Sequence, residues 1–352
     1  MVHIEKKPWV ETPLIESASL SKTAGCRVFL KLELLQPSGS FKTRGIGNLI
    51  RNALQDPANA GKQLHFFSSS GGNAGLAAVH AARDLGCPCT VIVPHSTKPM
   101  MIQKLWDAGA TDVSQHGDSW FEADTYLRKT FIEGQDVEVA ATRNIYVPPF
   151  DHPDVWQGAA TMVDEIERQM PVREGGGFPA DVVVCSVGGG GLFNGIVEGL
   201  GQHMQSRPDR GKVRVLAVET KGADSLALAL RERGLKSLPA ITSLATSLGA
   251  LQVAPQTLKN ALSPPAGVEV SSVVGSDAEA ARGSIRLADE ARLQVELACG
   301  ISVEVGSSAA RLKEFVPDLT PETRVVIIVC GGSNITSEML VQYRGKLQEG
   351  WS

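Results

Sequence analysis

The sequence predicts a doubly wound α/β protein, its parallel sheets covered by helices on both faces. Three observations carry the prediction. The runs Cys89 to Pro94, Asp181 to Ser186, Val213 to Val218 and Arg324 to Val329 are almost continuously apolar, as strands buried on both faces are. Helical patterns alternate with these strands along the chain. Glycine-rich or polar turns follow apolar strands and open helices, and ligands in open α/β sheets gather at the carboxyl ends of strands. At 352 residues the chain has room for two ordinary domains or one large one. The expected arrangement is two doubly wound units, the smaller near residues 36–145.

Taken in order, Val28 to Glu33 mixes apolar and charged side chains like a half-buried strand. Pro37, Ser38 and Gly39 break it with turn chemistry. Ser40 suits an N-cap for a helix from about Phe41, with Arg44 in its first turn. Lys42 then stands at a helix N-terminus, where the dipole disfavours a cation and lowers an amine pKa. An amine tuned in that way attacks carbonyls. The plainer alternative is a surface lysine after a turn, and this window alone leaves both open. Ala74 to Leu85 reads as an alanine-rich helix closed by Gly86, and Pro99 to Ala108 as one closed by Gly109. The clearest loops are Arg173 to Pro179 and Ser263 to Gly267.

Three turns carry the chemistry. In Val187-Gly188-Gly189-Gly190-Gly191-Leu192-Phe193, four glycines at a helix start leave bare backbone amides for an anion such as a phosphate. A tight structural turn, or a dinucleotide site with Glu219 as ribose acid, remains open; a nucleoside-triphosphate loop is excluded by the missing Gly-Lys-Ser/Thr. Ser68-Ser69-Ser70-Gly71-Gly72-Asn73-Ala74-Gly75 is rich in donors and suits a carboxylate, with plain N-capping by Ser70 or Asn73 as the alternative. Cys330, in Cys330-Gly331-Gly332-Ser333-Asn334, would end a strand and face the same crevice. A buried structural thiol is the default for it.

Composition narrows the rest. Apolar residues make up 43% and charged residues 20%, enough for a sizeable core. A net charge of −4 without a basic block argues against nucleic-acid or anionic-membrane partners. Six cysteines lack disulfide-scaffold or metal spacing, and Cys87-Pro88-Cys89 reads as core thiols. The N-terminus has no apolar leader, so a cytoplasmic protein is expected. No His-Glu-x-x-His or Gly-x-Ser-x-Gly pattern occurs, and His152 reads as loop structure.

The segments Pro37 to Gly45, Ser69 to Gly75, Gly188 to Gly191 and Cys330 to Asn334 occur in the order seen in fold-type-II pyridoxal-phosphate enzymes, the tryptophan synthase β-like class. Over nearly the whole chain the sequence resembles the eukaryotic catabolic L-serine dehydratase/L-threonine deaminase family, including Ile145 to Asp151, Ala217 to Thr220 and Val295 to Gly300. The resemblance implies a large cofactor-binding domain, 1–35 and 146–352, a small domain, 36–145, and the cofactor in the cleft between them. It implies that Lys42 holds pyridoxal 5'-phosphate as a Schiff base and serves as catalytic base. Phe41 and Asn73 would contact the cofactor ring, Gly188, Gly189, Gly190, Gly191 and Leu192 its phosphate, and Cys330 its ring nitrogen. Ser70, Gly71 and Asn73 would receive the substrate carboxylate. Glu219, Ala223 and Leu248 match positions that bind a monovalent cation such as K+. The implied activity is β-elimination of L-serine to pyruvate and ammonia, and of L-threonine to 2-oxobutanoate, in amino-acid catabolism and gluconeogenesis by a cytoplasmic homodimer. Alternatives are threonine synthase, serine racemase or a non-catalytic ligand-binding protein. Family members vary among alanine, serine and glycine at Gly71, which bears on serine-to-threonine preference. With Ser352 soon after the Cys330 motif, an appended isoleucine-responsive domain is not expected.

Overall fold

The computed structural model of the protein describes residues 6–134, 141–173, 176–205 and 211–352. The loop expected over 173–179 falls partly on residues 174–175, and the N-terminal leader reading partly on 1–5; those positions lie outside the described residues. The ten strands among the described residues are β1 (Leu14–Glu16), β2 (Arg27–Lys31), β3 (Gln63–Ser68), β4 (Cys89–Val93), β5 (Asp112–Gln115), β6 (Thr142–Tyr146), β7 (Val182–Ser186), β8 (Val213–Thr220), β9 (Val268–Gly275) and β10 (Arg324–Ile328). The chain divides into two compact units, the residues before Glu11 with Gln36–Gly158, and Glu11–Leu35 with Ala159–Ser352. The first is larger than the stretch 36–145 read from sequence. Val155 packs on Gly45, its carbonyl oxygen 2.6 Å from where a β-carbon would lie, and Pro8 covers Gly47 at 2.7 Å. The division falls within the helix Pro153–Gln169, so no break in periodicity marks it.

The first unit is built on an all-parallel sheet in the order β5-β4-β3-β6. The helices Lys42–Gln55 and Asn73–Asp84 lay Ile46, Leu49, Ile50, Leu76 and Val79 into one core with Phe66 and Val91. Each such side chain fully buried contributes about 1.5–3 kcal/mol relative to exposure. The strand order reverses between β3 and β6, because β4 and β5 are added on one side and β6 on the other.

The second unit carries the order β1-β2-β10-β7-β8-β9. All its pairs are parallel except β1 with β2. That antiparallel edge strand is three residues long, too short to stand out as a pattern. β7 is buried at every residue, as a continuously apolar strand should be. Here the order reverses between β7 and β10.

The half-buried strand expected at Val28 to Glu33 is instead buried, charges included. Lys31 is 0% exposed and its Nζ donates to Glu165 Oε2 at 2.6 Å, Gln169 Oε1 at 2.9 Å and the Thr12 carbonyl at 2.7 Å. Glu33 accepts from Thr12 Oγ1 at 2.6 Å. Charges that look like a solvated face are tolerated inside because Lys31 is paired with Glu165 and Glu33 is hydrogen-bonded to Thr12. No helix among the described residues is long and apolar enough to cross a membrane.

Candidate active site

Chain reversals leave a crevice at the carboxyl ends of the strands that flank them. In the first unit, the Ser69–Gly75 turn leaves β3 and the segment after Tyr146 leaves β6, so both border that point. Lys42 is the first residue of the helix Lys42–Gln55, and its Nζ donates to the Pro149 carbonyl at 2.5 Å. The amine also lies 5.4 Å from the centre of the Phe41 ring. The amine is therefore aimed at the segment that follows β6.

The local start of this helix differs from the sequence expectation. Phe41, not Ser40, is the N-cap, and no side chain caps the helix. Ser40 Oγ is buried without a hydrogen-bond partner, while its carbonyl accepts the Thr43 N–H at 3.2 Å and the Thr43 hydroxyl at 3.1 Å. Thr43 also joins Ser38 through their hydroxyls at 2.7 Å. The Thr43 side chain thus closes the turn that a serine hydroxyl was expected to close.

The donor-rich turn is held at its start and within itself. Ser69 Oγ donates to Asp124 Oδ1 at 2.6 Å, and the Tyr146 hydroxyl donates to the same oxygen at 2.6 Å. Burial, then the Asp124 carboxylate, pushes the Tyr146 phenol up, so it remains a donor. Ser70 Oγ accepts the Gly72 N–H at 3.3 Å. Gly75 is required, because a β-carbon there would run into the Ser70 carbonyl. The helix begins at Asn73, with Gly72 rather than Ser70 or Asn73 at the cap position and no capping side chain. Ordinary N-capping therefore does not account for the serines and the asparagine.

In the second unit the tetraglycine turn leaves β7, and Cys330 lies two residues beyond β10, its neighbour in the sheet. The helix Gly191–Gln205 opens inside the turn, so the amides of Gly191, Leu192 and Phe193 have no acceptor within it. Gly190 adopts φ 104°, and Thr257 occupies the space a side chain would need. Thr257 Oγ1 donates to the Gly189 carbonyl at 3.2 Å, and the Ala254 N–H donates to it at 3.0 Å. The Gly189 carbonyl is thus pinned back while first-turn amides stay bare, a donor set that fits a phosphate. Leu192 is buried behind them. Gly188 lies against the Leu248 backbone, with the Leu248 Cα 3.2 Å from a β-carbon position.

Cys330 is buried and its Sγ lies 3.5 Å from Ser186 Oγ. Burial raises the neighbouring Cys185 and Cys299 thiols, and proximity to Cys330 raises both further. All six cysteines are free. Glu296 braces the Cys330 turn: its Oε1 accepts the Asn334 N–H at 2.7 Å, and Oε2 accepts from Ser247. Glu219, at the end of β8, accepts the N–H groups of Leu226 at 2.7 Å and Ala227 at 2.8 Å. Burial pushes its carboxyl up to about 8 against those two donors. Ala223 is buried, and the Leu248 carbonyl accepts the Ala250 N–H at 2.7 Å. No group of three or more His, Cys, Asp or Glu among the described residues is arranged to hold a metal ion. His152 Nδ1 accepts the Asp154 N–H at 3.1 Å, so it serves the helix start.

One unit thus carries a lysine aimed at its switch point, and the other an amide cradle at its own. Residues 6–331 match the family described as pyridoxal-phosphate dependent enzyme. The chain belongs to that family. It is 40% identical over 344 residues to a protein named L-serine dehydratase from Saccharomyces cerevisiae, covering 97% of each. It is 39% identical over 340 residues to L-serine dehydratase/L-threonine deaminase from Bos taurus, covering 96% of this chain and 95% of that one. Among solved structures it is similar to a fungal L-serine ammonia-lyase from Rhizomucor miehei, with a TM-score of 0.82, 32% identity, and 97% and 99% of the two chains covered. The fold is that of fold-type-II pyridoxal-phosphate enzymes, and pyridoxal phosphate is the family's cofactor.

Sequence reasoning missed three participants in this pyridoxal-phosphate enzyme. The Pro149 carbonyl and Asp124 lie far along the chain from the groups they hold, 107 and 55 residues respectively. Thr257 reaches across 68 residues to the Gly189 carbonyl. The Ile145–Asp151 stretch was a signal for the first; a lone aspartate and a lone threonine give none.

Proposed function

We propose that the protein is a pyridoxal-phosphate-dependent ammonia-lyase that converts L-serine to pyruvate and ammonia, and L-threonine to 2-oxobutanoate and ammonia. Sequence identity of 40% over 344 residues to a protein named L-serine dehydratase carries this reading. When bound, pyridoxal phosphate supplies the electron sink that lets an α-proton leave and a β-hydroxyl depart. Lys42 is the residue to hold it covalently and, once its amine is released, to take the α-proton as general base. The Pro149 carbonyl, 2.5 Å from that amine, fixes the direction in which it points. The amides of Gly188, Gly189, Gly190, Gly191 and Leu192 are assigned to the cofactor phosphate, Phe41 and Asn73 to its ring, and Cys330 to its ring nitrogen. At that place Cys330 brings only a weak S–H donor and a weak sulfur acceptor. Ser70, Gly71 and Asn73 are assigned to the substrate carboxylate, with Ser69 tied to Asp124 so that the turn keeps its shape. A K+ ion at Glu219, Ala223 and Leu248, a cytoplasmic location, a homodimer and a part in serine catabolism and gluconeogenesis belong to the same proposal.

The test is keto-acid release from L-serine, L-threonine and D-serine by wild type and Lys42→Ala. Loss of the general base is expected to lower turnover of both L-substrates by about 10²–10⁴-fold or more. Undiminished release by the variant, or release from D-serine alone, would overturn the reading.

A further inference from the structure

Gly71 stands in the turn assigned to the substrate carboxylate, yet its missing side chain is not replaced by empty space. A β-carbon built there would meet Thr97 Cγ2 at 2.6 Å, Thr97 Oγ1 at 3.0 Å and Val93 Cγ1 at 3.2 Å. The turn leaves β3, while Val93 ends β4 and Thr97 lies four residues beyond it, so neighbouring strands deliver the two residues. Thr97 is itself anchored, its N–H donating to the Pro94 carbonyl at 3.0 Å. Rotation relieves the crowding only in part. A β-branched side chain fills two of its three staggered positions, and both filled positions now face Gly71. A turn about χ1 vacates one and leaves the other occupied. Gly72 next to it is different, since the nearest atom to a β-carbon there is Ser70 Oγ at 3.9 Å.

We propose that Thr97 is a positioning residue for the substrate turn, acting through Gly71: the γ-branch of residue 97 and a β-carbon at residue 71 compete for one volume, and the turn keeps its shape when one of the two fills it. The inference rests on the reading of Ser70, Gly71 and Asn73 as the carboxylate site. It assigns to Thr97 the wall against which that turn is set.

The experiment is a double-mutant cycle on the pyridoxal-phosphate-loaded enzyme with Gly71→Ala, Thr97→Ala and the pair, alongside Gly71→Ala/Thr97→Val. KM and kcat for L-serine and the melting temperature are measured for each. Overpacking at 71 is expected to raise KM about tenfold or more with a smaller change in kcat, and to lower the melting temperature. Thr97→Ala should restore both in the pair, whereas Thr97→Val, which keeps two γ-branches, should not. Gly71→Ala with an unchanged KM and melting temperature, additive effects in the cycle, or equal rescue by alanine and valine would each overturn the proposal. Should wild type release no keto acid from L-serine while the melting temperatures still show alanine-specific rescue, the substrate reading fails and the packing pair stands. A melting cycle without coupling removes the pair whatever the activity.

Discussion

The turn after β3 and the turn after β7 have nearly the same recipe, glycines between a buried strand and a helix, but they are held in opposite ways. The first, Ser69–Gly75, is shaped by side chains: Asp124 grips Ser69, Ser70 folds onto Gly72, and Thr97 fills the space beside Gly71. The second is shaped by backbone and by the lack of side chains: Gly190 sits at φ 104°, and Thr257 and Ala254 draw back the Gly189 carbonyl. The difference suits the ligand proposed for each turn. A carboxylate of variable surroundings suits hydroxyls and an amide that side-chain contacts can adjust. A phosphate suits a row of amides at a helix start, where any β-carbon obstructs. One turn is therefore open to tuning by substitution around it, and the other is not.

Three substitutions break or sharpen that contrast. Gly190→Ala should have the largest effect, since it adds left-handed strain of about 1–3 kcal/mol to a collision with Thr257. The expected outcome is loss of both the cofactor's visible absorbance and keto-acid release; a fully loaded, active variant would show that the turn can relax. Asp124→Leu ranks second. It orphans the Ser69 and Tyr146 hydroxyls, at about 1–3 kcal/mol for each that stays buried. A rise in serine KM with cofactor loading retained is the result that supports a turn shaped by side chains. Unchanged KM would mean the turn does not need its anchor. Gly72→Ala should do least, within about 0.5 kcal/mol in melting experiments, because its φ of −113° is open to any residue and the space around it is clear. A large loss there would erase the distinction between the two glycines of the first turn.

Much of the fold could be read from the sequence because its signals are local. The helix Pro99–Ala108 closes on Gly109 at φ 97°, as its glycine implied, and β4, β7 and β10 lie where the apolar runs placed them. The buried Lys31 was misread, because periodicity registers charge and cannot register the Glu165 partner 134 residues away. Ser40 was misread for a related reason: a capping hydroxyl and an orphaned one have the same sequence neighbours, and Thr43 decided between them.

By itself the sequence determined the strands β4, β7, β8 and β10, the glycine turns and the lysine at a helix start, since each depends on residues a few positions apart. Which carbonyl receives the Lys42 amine, which carboxylate steadies Ser69, and what occupies the space next to Gly71 were decided by tertiary structure alone. Pro149 and Thr97 follow the ends of β6 and β4 and Asp124 lies in the helix Trp120–Leu127, and parallel strands are neighbours in space only after long crossovers in sequence.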